Sequence, residues 1–174
     1  MNPFPTLTTT RLLLRKLSDD DAEAVFALRS DERVNRFLDR QASSSIDDAR
    51  AFILKISDGI RESKLMYWAI SGKESAGLVG TICLFNVDAE KMVAEIGYEL
   101  LPEFQGRGYM QEALQAVVHF AIEQPGIGTL EAFTHKDNIR STKLLEKNKF
   151  KLEAEYKDAV NPDIRMYRRN LQNG

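Results

Sequence analysis

The sequence predicts an α+β fold: a central mixed, mostly antiparallel sheet of about seven strands, with helices on both faces. Three observations lead there. Leu65 to Ile70, Leu78 to Phe85 and Met92 to Leu101 are aliphatic and aromatic runs separated by short polar links, and links of that length favour antiparallel hairpins over crossovers. After Pro102 the hydrophobic period changes, and helix, strand, helix and strand alternate to the end. The chain has 174 residues, 43% hydrophobic and 29% charged, the size and balance of one globular domain spanning 1–174.

Each element has a local reason. Arg11 to Leu17 is an apolar run with polar ends, suited to a first strand. Ser18 and Asp21 form a helix start, and Ala22, Val25, Phe26 and Arg29 recur at helical spacing behind it. Ser30 to Ser44 is polar and irregular. Ser45 caps a stronger helix whose stripe is Ile46, Ala49, Phe52, Ile53, Ile56 and Ile60. Gly72 to Gly77 and Asn86 to Lys91 are the turns between the central strands. Ala113, Leu114, Val117, Val118, Ala121 and Ile122 mark a helix that stops before Pro125-Gly126. Thr129 to Thr134 reads as a strand, and Ser141, Leu144, Leu145 and Asn148 share one face of a further helix. Phe150 to Tyr156 and Ile164 to Arg168 are expected as the last strands.

Composition narrows the function classes. The 24 Lys and Arg against 26 Asp and Glu give a net charge of -2, so neither a nucleic acid nor a membrane surface is expected as the main partner. No run reaches the ~18 to 20 apolar residues of a membrane span, and Met1 to Thr10 lacks the features of a secretory signal; a cytoplasmic protein, monomer or homodimer, is the expectation. Cys83 is the one cysteine, which excludes an internal disulfide. No metal-ligand pattern is present, and neither His119 nor His135 falls in one, so no metal is expected. The alternation of Cys83 with Ile82 and Leu84 places it in a strand core.

The informative stretch is Ala94 to Leu114, in which a strand enters a turn with two glycines and the turn opens a helix. Glycine permits positive φ and close approach of a ligand to the backbone. The first amides of a helix lack internal partners and suit phosphate oxygens. The amides of Gly106 to Met110 therefore form a candidate anion site. The dinucleotide fingerprint and the Walker loop are both unmatched.

These residues resemble the GNAT N-acetyltransferases, and within them the RimJ/RimL-like branch. The family's pyrophosphate loop is matched by Gln105, Gly106, Arg107, Gly108, Tyr109 and Met110, the last standing where a small residue is usual. Arg11-Leu-Leu-Leu-Arg15, Tyr67-Trp68-Ala-Ile70, Gly77-Leu-Val-Gly80 and Asn138-Ile-Arg-Ser141 through Asn148 are also similar to that branch, so the likeness runs from Thr10 to about Arg169. It implies a GNAT-like fold and acetyl-coenzyme A as co-substrate. The loop amides would bind the pyrophosphate, backbone groups near Leu100 and Leu101 the pantetheine arm, and Asn138 the same arm; Ser141 would lie near the thioester sulfur, and Lys143 with Arg107 and Arg140 near the nucleotide end. Read from spacing alone, Asn138 is equally a helix cap and Ser141 a solvent-facing hydroxyl. The family commonly has Gly where this chain has Lys149, so Asn148 is expected to supply a left-handed cap.

Acetyl transfer to an amine of pKa ~10 calls for a base, a stabilised oxyanion and a proton for the leaving thiolate. Glu95 is the first candidate base, by its place on the strand before the loop, with Glu99 on the same strand face second; a purely structural role for Glu95 is the competing reading. Ser141 is the candidate acid, and direct transfer in a ternary complex is preferred to an acyl-enzyme. The resemblance makes Asp31, Arg33, Phe37, Tyr67 and Trp68 candidate acceptor-lining residues. The acceptor is a protein N-terminus or a small amine; the alternatives are a non-catalytic acyl-coenzyme A sensor on the same fold and, last, a nucleotide-binding protein. Lys136 to Lys151 holds six cations and two anions, Asp19 to Glu62 eleven anions and seven cations. The basic stretch is expected near the phosphates and the acidic half toward a cationic acceptor.

Overall fold

Eight strands join in one sheet in the computed structural model, which describes residues 3–73 and 77–172. They are β1 (Leu7–Thr8), β2 (Leu12–Lys16), β3 (Met66–Gly72), β4 (Leu78–Asp88), β5 (Val93–Leu100), β6 (Thr129–His135), β7 (Lys151–Leu152) and β8 (Ile164–Asn170), in the spatial order β1-β2-β3-β4-β5-β6-β8-β7. Every neighbouring pair is antiparallel except β5 and β6, which are parallel. Five α-helices accompany them: α1 (Ala22–Ser30), α2 (Glu32–Asn35), α3 (Ile46–Arg61), α4 (Tyr109–Ile122) and α5 (Ile139–Lys147).

Strand alternation sorts the side chains into two cores. On one face Leu12, Leu14, Trp68, Ile70, Ile82, Leu84, Ala94 and Ile96 meet Met110, Ala113, Leu114, Val117, Val118 and Ala121 of α4, with Leu145 of α5. On the other, Tyr67, Ala69 and Cys83 meet Val25 and Leu28 of α1 and Ala49, Ile53 and Ile56 of α3. Fully burying one such large apolar side chain stabilises the fold by roughly 1.5–3 kcal/mol. α3 begins where the sequence places it: Ser45 Oγ accepts the Asp48 amide at 3.2 Å and Asp48 accepts the Ser45 amide at 3.1 Å, a reciprocal cap.

Four local features differ from the expectations. Leu7–Thr8 adds an edge strand against β2. Within the irregular stretch, Asp31 accepts the amides of Arg33 and Val34 and starts the one-turn α2. The strand expected over Phe150 to Tyr156 contracts to Lys151–Leu152, because the Tyr156 amide donates to Glu153 O at 3.1 Å and closes a turn there. The left-handed residue after α5 is Lys149, at φ 63°, and Asn148 stays at φ −95°. Asn148 is buried and exchanges two 2.9 Å amide bonds with Gln111 of α4, which fixes its conformation and passes the strained position on to its neighbour.

Candidate active site

The parallel pair is short. β5 and β6 are paired only at Val93/Thr129, Ala94/Leu130 and Glu95/Glu131. Beyond these, β5 stays with β4 through Leu100, and β6 stays with β8 through His135. The two inner edges separate, leaving a wedge in mid-sheet whose backbone amides and carbonyls have no strand opposite. Such groups need partners, and an extended chain entering the wedge supplies them as an added strand does.

The glycine turn follows the end of β5. Gly106 and Gly108 have φ of 75° and 79°, values that cost other residues strain. A Cβ built on Gly106 meets no atom within 4 Å, so the turn fronts open space. Gly108 is the N-cap of α4, whose first amides point out of the helix. Met110 turns inward and is 9% exposed within the core, so its bulk lies away from the turn. Gln105 looks inward as well: its Nε2 donates to Leu100 O at 2.9 Å and its Oε1 accepts from Arg140 of α5. Arg107 and Lys143 are exposed; the side chains of Leu100 and Leu101 are buried, the Leu101 amide donates to Val79 O at 2.9 Å, and Leu100 O is the acceptor used by Gln105.

α5 flanks the wedge on the α4 side of the sheet. Asn138 caps it, Oδ1 accepting the Ser141 amide at 3.3 Å. Ser141 Oγ lies 2.9 Å from the Tyr98 hydroxyl of β5. Burial pushes the Tyr98 phenol up to about 12, against the opposing effect of its bond to Ser141. The pair is therefore neutral and hydrogen-bonded throughout the physiological range.

The opposite face carries the carboxylates. Glu95 is the last paired residue before the wedge and accepts from Asn86 Nδ2 at 3.0 Å, partly open to solvent. Glu99 faces Arg40, whose Nη1 donates to Oε1 at 3.0 Å and whose Nη2 lies 2.6 Å from Oε2. Phe37, in the segment after α2, stacks on His135 at the end of β6, ring centroids 5.5 Å apart. Cys83 sits under the same face; burial pushes its thiol up to about 12, which makes it a core residue and a poor nucleophile.

Two acceptor-lining expectations do not hold. Trp68 is 0% exposed, on the face covered by α4, with Nε1 donating to Pro5 O at 2.8 Å. Tyr67 is also buried, and its hydroxyl donates to Thr81 Oγ1 at 3.0 Å. Both are core aromatics: α4 covers the face of the strand that carries Trp68, and α1 and α3 cover the face that carries Tyr67. Asp31 is occupied in capping α2 and pairing with Arg33 at 2.6 Å, which lowers its carboxyl to about 2. Other acids of this half are held the same way, in local pairs such as Arg15–Asp21, Arg50–Asp47 and Arg61–Asp58.

The structure adds Arg11, Tyr98, Arg29 and Arg40 to the residues around the wedge. Arg11 donates from Nη1 to Arg107 O at 2.9 Å and lies over the Tyr109 ring, bracing the turn. The sequence does carry a signal for Arg29, a charged residue in an otherwise apolar helical stripe. Tyr98 could have been found by period-two counting, which puts it on the face opposite Glu95 and Glu99. The pairing of Arg40 with Glu99 has no local signature, since 59 residues separate them.

The wedge, the open glycine turn and the free first amides of α4 fit a long thioester with an anionic head. Comparison with known proteins agrees. The family model for the acetyltransferase (GNAT) domain matches residues 11–151. The uncharacterized N-acetyltransferase YoaA of Bacillus subtilis (strain 168) is 34% identical over 151 residues, covering 87% of this chain and 85% of that one. In fold, the chain is similar to RimL, a ribosomal L7/L12 alpha-N-protein acetyltransferase in complex with coenzyme A (TM-score 0.83, 23% identity, 95% and 98% of the two chains). It is also similar in fold to the microcin C7 self immunity acetyltransferase MccE in complex with acetyl-CoA and AMP (TM-score 0.78, 21% identity, 92% and 93%). On its sequence and its fold together, this chain belongs to the GNAT family of N-acetyltransferases.

Proposed function

We propose that this GNAT acetyltransferase moves the acetyl group of acetyl-CoA directly to a primary amine in a ternary complex, with Glu95 as general base and Ser141 as the acid serving the coenzyme sulfur. The observation that carries the reading is the wedge. It is the one place in mid-sheet where a group between β5 and β6 can be approached from both faces, by Ser141 from the α4 side and by Glu95 from the other. The amine and the leaving thiol are then served from opposite sides.

Each residue has a stated task. Backbone amides of Gly106 to Met110 hold the pyrophosphate, Gln105 and Arg140 fix the turn, and Arg107 and Lys143 offer positive charge to the nucleotide end. Backbone groups of Ile96 and Tyr98 that face away from β4, the Leu100 amide and the Asn138 amide nitrogen bond the pantetheine arm, and an amide on that edge faces the thioester oxygen as charge develops there. Glu95, through water, takes the proton that an amine of pKa ~10 must lose. Tyr98 orients the Ser141 hydroxyl, which protonates the departing thiolate. Phe37 lines the acceptor approach, where a protein N-terminus or a small amine enters.

A thiol-release screen tests this, using peptides beginning with Ser or Ala beside a polyamine, an amino acid and an aminoglycoside. Release with at least one amine, lost in Glu95→Gln, supports the assignment. Undiminished turnover in Glu95→Gln removes Glu95 as the base.

A further inference from the structure

Beside the wedge, on the Glu95 face, two guanidinium groups lie near one carboxylate, Glu99, which pairs with Arg40. Arg40 has a carboxylate beside it: Nη1 donates to Glu99 Oε1 at 3.0 Å, Nη2 lies 2.6 Å from Oε2, and Nε donates to Asn35 Oδ1 at 2.8 Å. Arg29 is different. Its guanidinium lies 3.8 Å above the Phe52 ring, and among the described residues no carboxylate comes within ion-pair distance of it. Its Nε is shielded from solvent with no hydrogen-bond partner. Burial and the nearby charge of Arg40 oppose its protonation, and Glu99 favours it. Arginine does not lose its proton in proteins, so the charge stays. Stacking on Phe52 offsets only part of the desolvation.

Nothing else packed here balances it. The Tyr67 hydroxyl is committed to Thr81, the Cys83 thiol is neutral, and Asp31 is taken by Arg33. Arg36, over the Phe37 ring, adds a further positive charge at the mouth. The place matters as much as the sign. Glu99 lies on β5 beyond the last residue paired with β6, and the segment holding Asn35, Phe37 and Arg40 reaches across to His135 on β6.

We propose that Arg29, backed by Arg40, is an anion subsite of the acceptor pocket, so that the preferred acceptor amine carries a carboxylate near its amino group. The inference rests on the acetyl-transfer reading above and names its substrate class. It also reverses the sign expected from the acidic composition of this half of the chain. The carboxylate can be that of a free amino acid or an acidic side chain next to a peptide N-terminus.

Matched acceptors distinguish these outcomes: alanine against alaninamide, and a peptide beginning Ser-Glu against the same peptide beginning Ser-Gln. In the wild-type enzyme the carboxylated member of one pair is expected to have the higher kcat/KM by about tenfold or more, through KM, the size of one charge-assisted hydrogen bond. The pair that shows the preference identifies the source. Arg29→Gln is expected to bring that ratio close to one and Arg29→Lys to restore part of it, with thermal stabilisation by coenzyme A reporting that each variant is folded. Turnover of both members within twofold of each other, in both pairs, overturns the anion subsite and leaves the transfer reading standing. No thiol release from any of the four, at acetyl-CoA concentrations that stabilise the protein, overturns the transfer reading and the subsite with it.

Discussion

Arg11 and Glu112 tie the start of the second strand to the first turn of α4: Arg11 Nε lies 2.8 Å from Glu112 Oε2, and the Arg11 amide donates to Glu112 Oε1 at 2.7 Å. The same guanidinium reaches Arg107 O, so one side chain joins the strand, the helix and the glycine turn. Arg11 is 45% exposed, and exposed ion pairs contribute little to stability, typically ~0–1 kcal/mol. Its effect is expected in the turn. Arg11→Ala should weaken coenzyme A binding about three- to tenfold while lowering stability by less than about 1 kcal/mol; calorimetric titration beside urea unfolding reads both. A stability loss with unchanged affinity would remove Arg11 from the turn's support.

Gly106→Ala separates a backbone requirement from a ligand requirement. The left-handed φ of 75° costs an alanine about 1–2 kcal/mol. The added methyl touches no protein atom, because nothing lies within 4 Å of its position. If the phosphates occupy that space, coenzyme A affinity falls well beyond the folding penalty, by about a hundredfold or more. Affinity within threefold of wild type would place the phosphates elsewhere.

The sequence was informative wherever the cause was local. Period-two and period-3.6 patterns found the strands and long helices, Ser45 announced α3, and two glycines announced the turn that opens α4. What it could not show was set by distant pairing. The wedge exists because β5 and β6 part after Glu95 and Glu131, and no residue in either strand advertises that. Tyr67 and Trp68 were candidates for the acceptor wall through the family resemblance alone; both faces of their strand are covered by helices. Charge totals do not show pairing: Asp21, Asp31, Asp47 and Asp58 meet local arginines, while among the described residues no carboxylate lies within ion-pair distance of Arg29.

Lys149 is in the left-handed region with its side chain exposed. Lys149→Gly removes the strain of that conformation, ~1–2 kcal/mol, and returns part of the gain through the larger entropy of the unfolded chain, ~0.5–1 kcal/mol. A net stabilisation of about 0.5–1 kcal/mol is expected, a rise in Tm of roughly 1–4 °C for a chain of this size. A lower Tm would show that the lysine side chain contributes more than its backbone costs.

Three acids, Tyr67 buried and Cys83 and Tyr98 partly buried, set the alkaline limit. Burial raises Cys83 and Tyr98 to about 12 and Tyr67 further. Their unfolded values are ~8.5 for cysteine and ~10 for tyrosine. A raised folded pKa means that above the unfolded value the unfolded chain has released protons the folded chain retains, so stability falls as pH rises. These groups leave Tm unaffected below pH ~8, and Tm should decline from about pH 9 with a steeper fall above about pH 10. Cys83→Ala should remove the early part of the decline and leave turnover near wild type. A Tm constant to pH 11 would refute the assignment of these groups as buried and neutral.

Tyr98 and Ser141 meet at 2.9 Å from two elements, and the roles proposed for them differ enough to be separated by kinetics. Ser141→Ala removes the proton donor. General acid catalysis is worth about 10²–10⁴-fold, so kcat is expected to fall by roughly a hundredfold with coenzyme A affinity nearly intact. Tyr98→Phe keeps the ring in the core and deletes only the hydroxyl, leaving Ser141 free to rotate; a loss of about three- to tenfold in kcat is expected, the scale of one neutral hydrogen bond. Because Tyr98 titrates at about 12, it adds no limb to the pH–rate profile between pH 6 and 9, and Tyr98→Phe should lower that profile without changing its shape. In the double variant the Tyr98 substitution should cost nothing further, since its effect passes through Ser141. Fully additive losses would mean that Tyr98 acts on the reaction directly.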